Sequence, residues 1–180
     1  EAGGLSQADP RLAEAARLTG SDVPVCLAGE ARIMRGTGAE LGPALALPRL
    51  PALLVNPGIA VATPAVFARL GLAPGAAREG DPATALEQGR ATRPQAARAD
   101  LVALLHTARN DLEAPALALA PGIGEALRHV AATEGCRLAR MSGSGATVFG
   151  LYDTCRAAAA AGKAIRAKRP GWWIKPTMFG

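Results

Sequence analysis

The chain has 180 residues, of which 49% are hydrophobic and 3% aromatic, and its formal net charge is +5 at neutral pH. This size and composition exclude a disordered tail and predict one substantial core, or one domain with part of another. No stretch approaches the roughly 20 apolar residues that a membrane span needs, so no membrane partner is expected. Much of the apolar content is alanine, so we expect alanine-rich helices packed closely on a sheet.

The first part of the chain is predicted to contain one helix and two strands. These elements are a helix over 10–19, capped by Asp9 and ended by Gly20, and strands over 23–27 and 31–35. Residues 40–51 are rich in proline and leucine, and we interpret them as the join between two structural parts.

The second part is predicted to alternate strands with helices. A buried strand over 52–55 ends at the turn signal Asn56-Pro57-Gly58, and Thr63 is the predicted N-cap of a helix that reaches Leu70. The remaining elements are a connection over 73–95 with a short helix near 83–89, helices over 98–106, from 114 and over 123–134, strands over 137–141 and 147–152, a helix capped by Asp153 and Thr154 that runs to 168, and a strand over 172–178. This order predicts an α+β domain with helices beside a mostly antiparallel sheet.

The segment Thr19-Gly20-Ser21-Asp22-Val23-Pro24-Val25-Cys26 places one carboxylate in a tight turn before an apolar run. A general base for a hydroxyl nucleophile needs a carboxylate that is held within hydrogen-bond reach, and Asp22 fits that requirement. The alternative is a structural turn aspartate that bonds nearby backbone N–H groups. Local pattern alone leaves both interpretations of Asp22 open.

The segment Met141-Ser142-Gly143-Ser144-Gly145-Ala146-Thr147 is a small, hydroxyl-rich glycine loop between two predicted strands. Glycines let the backbone approach a phosphate and serines add donors, so the loop is suited to holding an anion. The alternative is an ordinary hairpin tip. Thr63, at a helix start after the Pro-Gly turn, presents a hydroxyl beside free N–H groups, with a plain helix cap as its alternative.

Two common nucleotide-binding motifs are excluded. No lysine follows the glycine loop, so it is not a P-loop. The pairs Gly36-Thr37-Gly38 and Gly122-Ile123-Gly124 do not lie between a strand and a helix in the spacing of a dinucleotide-binding fold.

The cysteines and histidines predict no metal site. Cys26, Cys136 and Cys155 have no metal-ligand spacing, and their odd number argues against a disulfide framework. We expect them to be small buried residues in a reducing compartment, with the cytoplasm as the default location. His106 and His129 are interpreted as ordinary helix residues.

Several segments of the chain occur in the order found in one protein family. They are Thr19–Leu27, Gly36–Glu40, Asn56–Phe67, Asn110–Glu113 and Met141–Leu151. With these segments the chain resembles the 4-diphosphocytidyl-2-C-methyl-D-erythritol kinases, which belong to the GHMP kinase superfamily together with galactokinase, homoserine kinase and the mevalonate pathway kinases.

The resemblance implies a GHMP-type α+β fold and ATP-dependent phosphorylation of the 2-hydroxyl of 4-diphosphocytidyl-methylerythritol, in non-mevalonate isoprenoid biosynthesis. Residues 1–48 would be the tail of the N-terminal nucleotide-binding domain. Residues 49–180 would be the ferredoxin-like C-terminal domain, a mostly antiparallel sheet with helices on one face. The implied site residues are catalytic Asp22, substrate-binding Gly36, Thr37, Gly38 and Thr63, and phosphate-binding Gly143, Ser144 and Gly145.

The family also has an early lysine that pairs with the catalytic aspartate and a long glycine-serine loop that wraps the ATP phosphates. Neither occurs in the chain, since Gly3-Gly4-Leu5-Ser6 is too short to serve as that loop. We therefore expect a C-terminal portion without appreciable kinase activity of its own. The implied co-substrate is ATP, with Mg²⁺ held through phosphates and residues absent from the chain, and the implied substrate is cytidine-diphosphate-linked methylerythritol. The assembly would be a monomer or homodimer.

Two further functions stay open from the sequence. One is another small-molecule kinase of the superfamily, such as homoserine or phosphomevalonate kinase. The other is a non-catalytic α+β module whose basic surface binds RNA or a protein. The charges are scattered and not interleaved with aromatic residues, which favours a solvated surface and no nucleic-acid partner. The densest basic patch, Lys163, Arg166, Lys168 and Arg169, is interpreted as a solvated helix end.

Overall fold

The computed structural model describes residue 6 and residues 9–36, 38, 40–72 and 94–180, without the side chains of 94–97. The described residues divide into two compact units, a first that ends at Leu47 and a second with residues from Pro48 to Leu72 and from Pro94 to Phe179. The short helix predicted near 83–89 and the predicted site residue Thr37 both lie outside the described residues.

The first unit begins with helix α1, Pro10–Thr19, as predicted. The Asp9 carboxylate accepts from Arg11 N at 2.9 Å, and the Gly20 N–H closes the helix on Ala16 O. A short helix α2, Val23–Ala28, follows. Strands β1, Arg32–Arg35, and β2, Glu40–Ala44, then form an antiparallel pair.

Two predictions for this unit are wrong. The predicted strand over 23–27 is helix α2, because Pro24 suits the first turn of a helix and Gly29, with φ of 66°, ends it by donating its N–H to Val25 O. Five apolar residues fit either period, so the pattern could not separate the two. Residues 40–44 form strand β2 against β1 and are not part of a join.

The second unit contains the longer elements. In chain order they are β3 Leu50–Asn56, α3 Thr63–Ala68, α4 Pro94–Thr107, α5 Glu113–Leu119, α6 Gly122–Ala131, β4 Cys136–Met141, β5 Val148–Tyr152, α7 Cys155–Lys168 and β6 Trp173–Phe179. The four strands form one antiparallel sheet in the order β4-β5-β3-β6. This strand–helix–strand–strand–helix–strand order is ferredoxin-like and confirms the predicted α+β fold.

The core lies between the sheet and helices α6 and α7. Val55 pairs with Val148 on one side and Ile174 on the other, so these three side chains share the face that the helices cover. Small residues let the helices approach closely. An added Cβ at Gly162 of α7 would lie 3.0 Å from Leu53 Cδ1. The expectation of alanine-rich helices packed on a sheet is confirmed, since Ala126, Ala158 and Ala161 are buried in this core.

The prediction that the cysteines are buried is wrong. Cys26 and Cys155 are exposed and Cys136 is half-buried, and all three are free thiols. Cys155 begins α7, and α2, which carries Cys26, buries none of its residues. Apolar character alone does not say which face of a helix a cysteine occupies.

The patch Lys163, Arg166, Lys168 and Arg169 lies where α7 ends. Arg166 donates to Ile174 O at 2.7 Å, and Arg169 pairs with Glu125 of α6 while lying 5.7 Å from the Trp172 ring centre. Two of the four cations thus tie the helix end to its neighbours. In the part of the chain that the structure describes, none of the helices has the length and apolar character needed to cross a membrane.

Candidate functional site

The glycine loop, residues 142–147, joins β4 to β5 in a tight turn. Ser142 N donates to Thr147 O at 2.9 Å and Gly145 N donates to Ser142 O at 3.0 Å. Gly143 and Gly145 adopt φ of 55° and 90°, which side-chain-bearing residues rarely do. The loop also lies directly on the core, because an added Cβ at Gly145 would lie 3.0 Å from Met141 Sδ and 3.1 Å from Ile123 Cδ1.

Two backbone donors of the loop take no part in its internal hydrogen bonds. Within the described residues, the N–H groups of Gly143 and Ser144 make no hydrogen bond. Consecutive N–H groups at a left-handed glycine form a concave nest that binds anions. The loop therefore has two consecutive donors at a left-handed glycine, and its binding of an anion stays a prediction.

Thr63 and Ser144, two of the predicted site residues, are in direct contact. Their hydroxyl oxygens lie 2.8 Å apart, although the residues are 81 positions apart in the sequence. Thr63 is the first residue of α3 and not its N-cap, which is Ala62, so that detail of the prediction is wrong. Its hydroxyl bonds across to the loop, which brings the start of α3 to the glycine loop.

The turn Asn56-Pro57-Gly58 fixes the other side of the loop. The Asn56 side chain accepts from Gly58 N at 2.8 Å and donates to Thr147 Oγ1 at 2.9 Å. The sequence predicted the turn from its residue types but not the bond from Asn56 to the loop.

Asn110, between α4 and α5, is a residue of this site that the motif analysis gave no role. Its Nδ2 donates to Met141 O at 3.1 Å and to Gly143 O at 2.8 Å, and its Oδ1 accepts from Leu112 N at 3.0 Å. The Asn110–Glu113 segment was noted only as part of the resemblance. A single asparagine before a helix carries no local signal that it will bond a loop more than 30 residues away.

In the first unit, Asp22 occupies the N-cap position of α2 with an exposed side chain that makes no capping hydrogen bond. The structural alternative, a carboxylate held by nearby backbone N–H groups, is therefore not what the geometry shows. Gly38 is buried against this turn, because an added Cβ would lie 2.5 Å from Ser21 O. The predicted substrate segment at Gly36 and Gly38 thus lies beside the turn that carries Asp22, with Gly36 exposed at φ of 61°.

The two histidines are helix residues, as predicted. His129 packs edge-to-face on Trp172, with ring centres 5.3 Å apart, and His106 is exposed near the end of α4. Among the described residues, no group of three histidine, cysteine, aspartate or glutamate side chains is arranged to hold a metal ion.

A cavity of about 790 Å³ lies along α7 and the end of α6. Its lining includes His129, Thr133, Arg156, Lys168 and several alanines of α7, but none of the predicted site residues. It is therefore distinct from the loop site.

The shifted pKa values also belong to the scaffold. Burial raises the pKa of Tyr152 to about 12, although its hydroxyl bonds Thr133 Oγ1 at 2.7 Å. Burial likewise raises the pKa of the Cys136 thiol. The hydrogen bond from Arg137 lowers the pKa of Asp153. These groups lie at the end of the β4–β5 pair that is opposite the glycine loop.

Comparison with known proteins supports a kinase family. Residues 92–170 match the family model described as GHMP kinases C terminal. The chain is 52% identical over 179 residues to a 4-diphosphocytidyl-2-C-methyl-D-erythritol kinase of Methylorubrum extorquens, covering 99% of the chain and 60% of that protein. It is 53% identical over 176 residues to the kinase of the same name from Xanthobacter autotrophicus, covering 98% and 59%.

Solved structures agree. A crystal structure of 4-(cytidine 5'-diphospho)-2C-methyl-D-erythritol kinase matches with a TM-score of 0.68 and 33% identity, over 96% of the chain and 58% of that protein. Homoserine kinase from Cytophaga hutchinsonii matches with a TM-score of 0.55 and 19% identity, over 88% and 50%, which indicates a shared fold. The chain spans about 60% of the length of the curated relatives it matches. Residues 92–170 are therefore similar to the C-terminal part of GHMP kinases, and 99% of the chain aligns with a 4-diphosphocytidyl-2-C-methyl-D-erythritol kinase.

Proposed function

We propose that this chain is part of a kinase that transfers phosphate from ATP to the 2-hydroxyl of 4-diphosphocytidyl-2-C-methyl-D-erythritol. The observation that carries the proposal is the contact between Thr63 and Ser144, which joins two predicted site segments at the glycine loop. The identity of 52% to kinases of that name supports the substrate. In this proposal residues 1–48 belong to the nucleotide-binding domain and residues 49–180 form the C-terminal domain.

The glycine loop would hold phosphate oxygens. The consecutive N–H groups of Gly143 and Ser144 make no hydrogen bond within the described residues, and Gly145, with φ of 90°, would complete the phosphate-binding set. The bonds from Asn56, Thr63 and Asn110 hold the loop in this shape before any ligand binds. A preorganised donor set stabilises transferring phosphate charge without a reorganisation cost.

Asp22 would act on the substrate hydroxyl. Phosphoryl transfer requires mainly positioning and charge stabilisation, and a carboxylate that accepts the hydroxyl proton or orients the hydroxyl meets that need. The exposed side chain of Asp22 makes no capping bond that would compete with this role. Gly36, Thr37, Gly38 and Thr63 are the proposed substrate-binding residues.

ATP is the proposed co-substrate and Mg²⁺ its expected companion. Mg²⁺ would be held through the ATP phosphates and residues absent from this chain. We further propose a cytoplasmic enzyme, monomeric or homodimeric, without a nucleic-acid partner.

The test measures ADP release with ATP and 4-diphosphocytidyl-methylerythritol, using the protein encoded by the complete reading frame. We expect turnover, and we expect Asp22→Asn to lower kcat by about a hundredfold or more, as loss of a general base typically does. Asp153→Asn is the matched control, because Asp153 is an exposed aspartate that bonds Arg137 at the edge of the sheet. Turnover that survives in Asp22→Asn would remove Asp22 from the catalytic role.

Turnover of other substrates and binding of RNA, measured on the same protein, separate the alternative functions. Faster turnover of homoserine or phosphomevalonate would assign the chain to another branch of the superfamily. Salt-sensitive binding of RNA without turnover would favour the basic module. Against that module, Arg166 and Arg169 of its densest patch already make bonds within the chain. The 180-residue chain alone is expected to show no appreciable turnover.

A further inference from the structure

The amide of Asn110 is fully occupied by backbone partners. Both Nδ2 protons are used, one on Met141 O at 3.1 Å and one on Gly143 O at 2.8 Å. The oxygen accepts from Leu112 N at 3.0 Å, which fixes the orientation of the side chain relative to its own backbone. One side chain thus links the start of α5 to two carbonyl groups that flank Ser142.

These bonds determine where the loop donors point. A trans peptide group is planar, and its C=O and N–H point in opposite directions. The carbonyl of Gly143 shares a peptide with the N–H of Ser144, so a bond from Asn110 to Gly143 O turns the Ser144 N–H away from Asn110. The carbonyl of Met141 likewise shares a peptide with Ser142 N, which reaches Thr147 O.

The segment that carries Asn110 is itself held against β4. Arg140 donates to Leu105 O and Ala108 O, both at 2.8 Å, at the end of α4. Glu113 accepts from Met141 N at 3.1 Å on the other side of Asn110. Asn110 is therefore presented to the loop from a segment with bonds to β4 on both sides.

We propose that Asn110 is the positioning residue of the glycine loop, which aims the Ser144 N–H at a bound phosphate. The expected effect of Asn110 on ATP binding rests on the proposed kinase function. Asn110 contributes no atom to the phosphate, and its effect passes through the Gly143–Ser144 peptide. Loss of the amide should therefore weaken ATP binding while leaving binding of the cytidine-linked substrate near its original strength.

The test compares Asn110→Asp and Asn110→Ala with Arg166→Gln. Aspartate keeps the acceptor for Leu112 N but cannot donate to Met141 O or Gly143 O, whereas alanine loses all three bonds. Arg166→Gln also removes a bond to a backbone carbonyl, but on β6, at the sheet edge away from the β4–β5 loop. Steady-state kinetics use the protein of the complete reading frame, with ATP and the cytidine-linked substrate varied in turn.

We expect the KM for ATP to rise about fivefold in Asn110→Ala, from the loss of bonds that each contribute modestly. In Asn110→Asp we expect about tenfold, because the carboxylate also repels the carbonyl oxygens of Met141 and Gly143 that the amide bonded. The KM for the cytidine-linked substrate should change less than about twofold, and Arg166→Gln should leave both values within that range. Equal changes in both KM values, or an unchanged KM for ATP, would overturn the positioning role.

Amide hydrogen exchange provides a second measurement that does not depend on catalysis. Both Asn110 variants should speed exchange at residues 142–147, and Arg166→Gln should not. If the unaltered protein shows no turnover, the kinase proposal fails, but the exchange data still decide the role of Asn110. Unchanged exchange in the loop of both variants would then contradict it.

Discussion

Gly143 and Gly150 lie seven residues apart in the same hairpin and are glycine for opposite reasons. Gly143 has φ of 55° and open space around the position of a Cβ, so a side chain is disfavoured there by the backbone conformation and not by neighbouring atoms. Gly150 has no positive φ, but an added Cβ would lie 2.6 Å from Val130 Cγ1, so its constraint is space. Backbone conformation shapes the glycine loop, whereas close packing shapes the sheet beneath it.

The two regions also differ in what holds them. The loop is fixed by polar side chains from three separate segments, namely Asn56, Thr63 and Asn110. The sheet is fixed by apolar contacts with α6 and α7. Substitutions in the sheet should therefore act mainly on stability, and substitutions around the loop should act mainly on ligand binding.

The largest stability effect is expected at Gly150. Gly150→Ala forces a methyl group against Val130 and Tyr152, and overpacking of this kind costs about 2–3 kcal/mol of unfolding free energy. Gly171→Ala is the matched control, because nothing lies within 4 Å of its Cβ position and its φ is not positive. Urea unfolding measures both. A loss in Gly150→Ala no larger than in the control would show that the sheet and α6 are not closely packed there.

An intermediate effect on stability is expected at Tyr152, whose side chain carries a hydroxyl group and is buried in the core. Tyr152→Phe removes the bond to Thr133 Oγ1 and should cost about 1 kcal/mol of unfolding free energy. Because Tyr152 is the only tyrosine in the chain, phenolate absorbance reports on it alone. We expect an ionisation midpoint near pH 12 in the folded protein and near the ordinary pKa of about 10 in urea.

The sign of the pH dependence follows from the raised pKa of Tyr152. Between pH 10 and 12 the unfolded chain loses the phenol proton while the folded chain retains it. This contribution to stability is complete below pH 10 and is lost as the pH approaches 12. A midpoint near 10 in the folded protein would show that the phenol is not buried.

The sequence predicted the second unit well because its boundaries carry local signals. Asn56-Pro57-Gly58 ends β3, Thr154 caps α7, and the glycine loop separates two strands. Each signal is a backbone requirement that a few neighbouring residues satisfy. The helix at 23–28 was missed because a short apolar run fits either period, although Pro24 and Gly29 carry the helix signals in hindsight.

The site was only partly predictable for a related reason. Local patterns identified Thr63 and Ser144 separately, but their contact depends on how β3, α3 and the hairpin pack together. Asn110 bonds the loop although it lies more than 30 residues away in the sequence, and the residue types around Asn110 do not predict this bond. The catalytic and binding roles of all the predicted site residues stay predictions, namely those of Asp22, Gly36, Thr37, Gly38, Thr63, Gly143, Ser144 and Gly145.

The smallest expected effect concerns the contact between Thr63 and Ser144. A double-mutant cycle with Thr63→Val, Ser144→Ala and the double variant isolates the energy of this bond, because each single change removes one hydroxyl without adding bulk. The bond is exposed to water, so a coupling of about 0.5 kcal/mol in urea unfolding is expected. The KM for ATP should respond more clearly than stability, since the bond orients the residue whose N–H lies in the nest. Zero coupling together with an unchanged KM would mean that α3 and the loop are independent, and the side-chain bonds that hold the loop would then be those from Asn56 and Asn110.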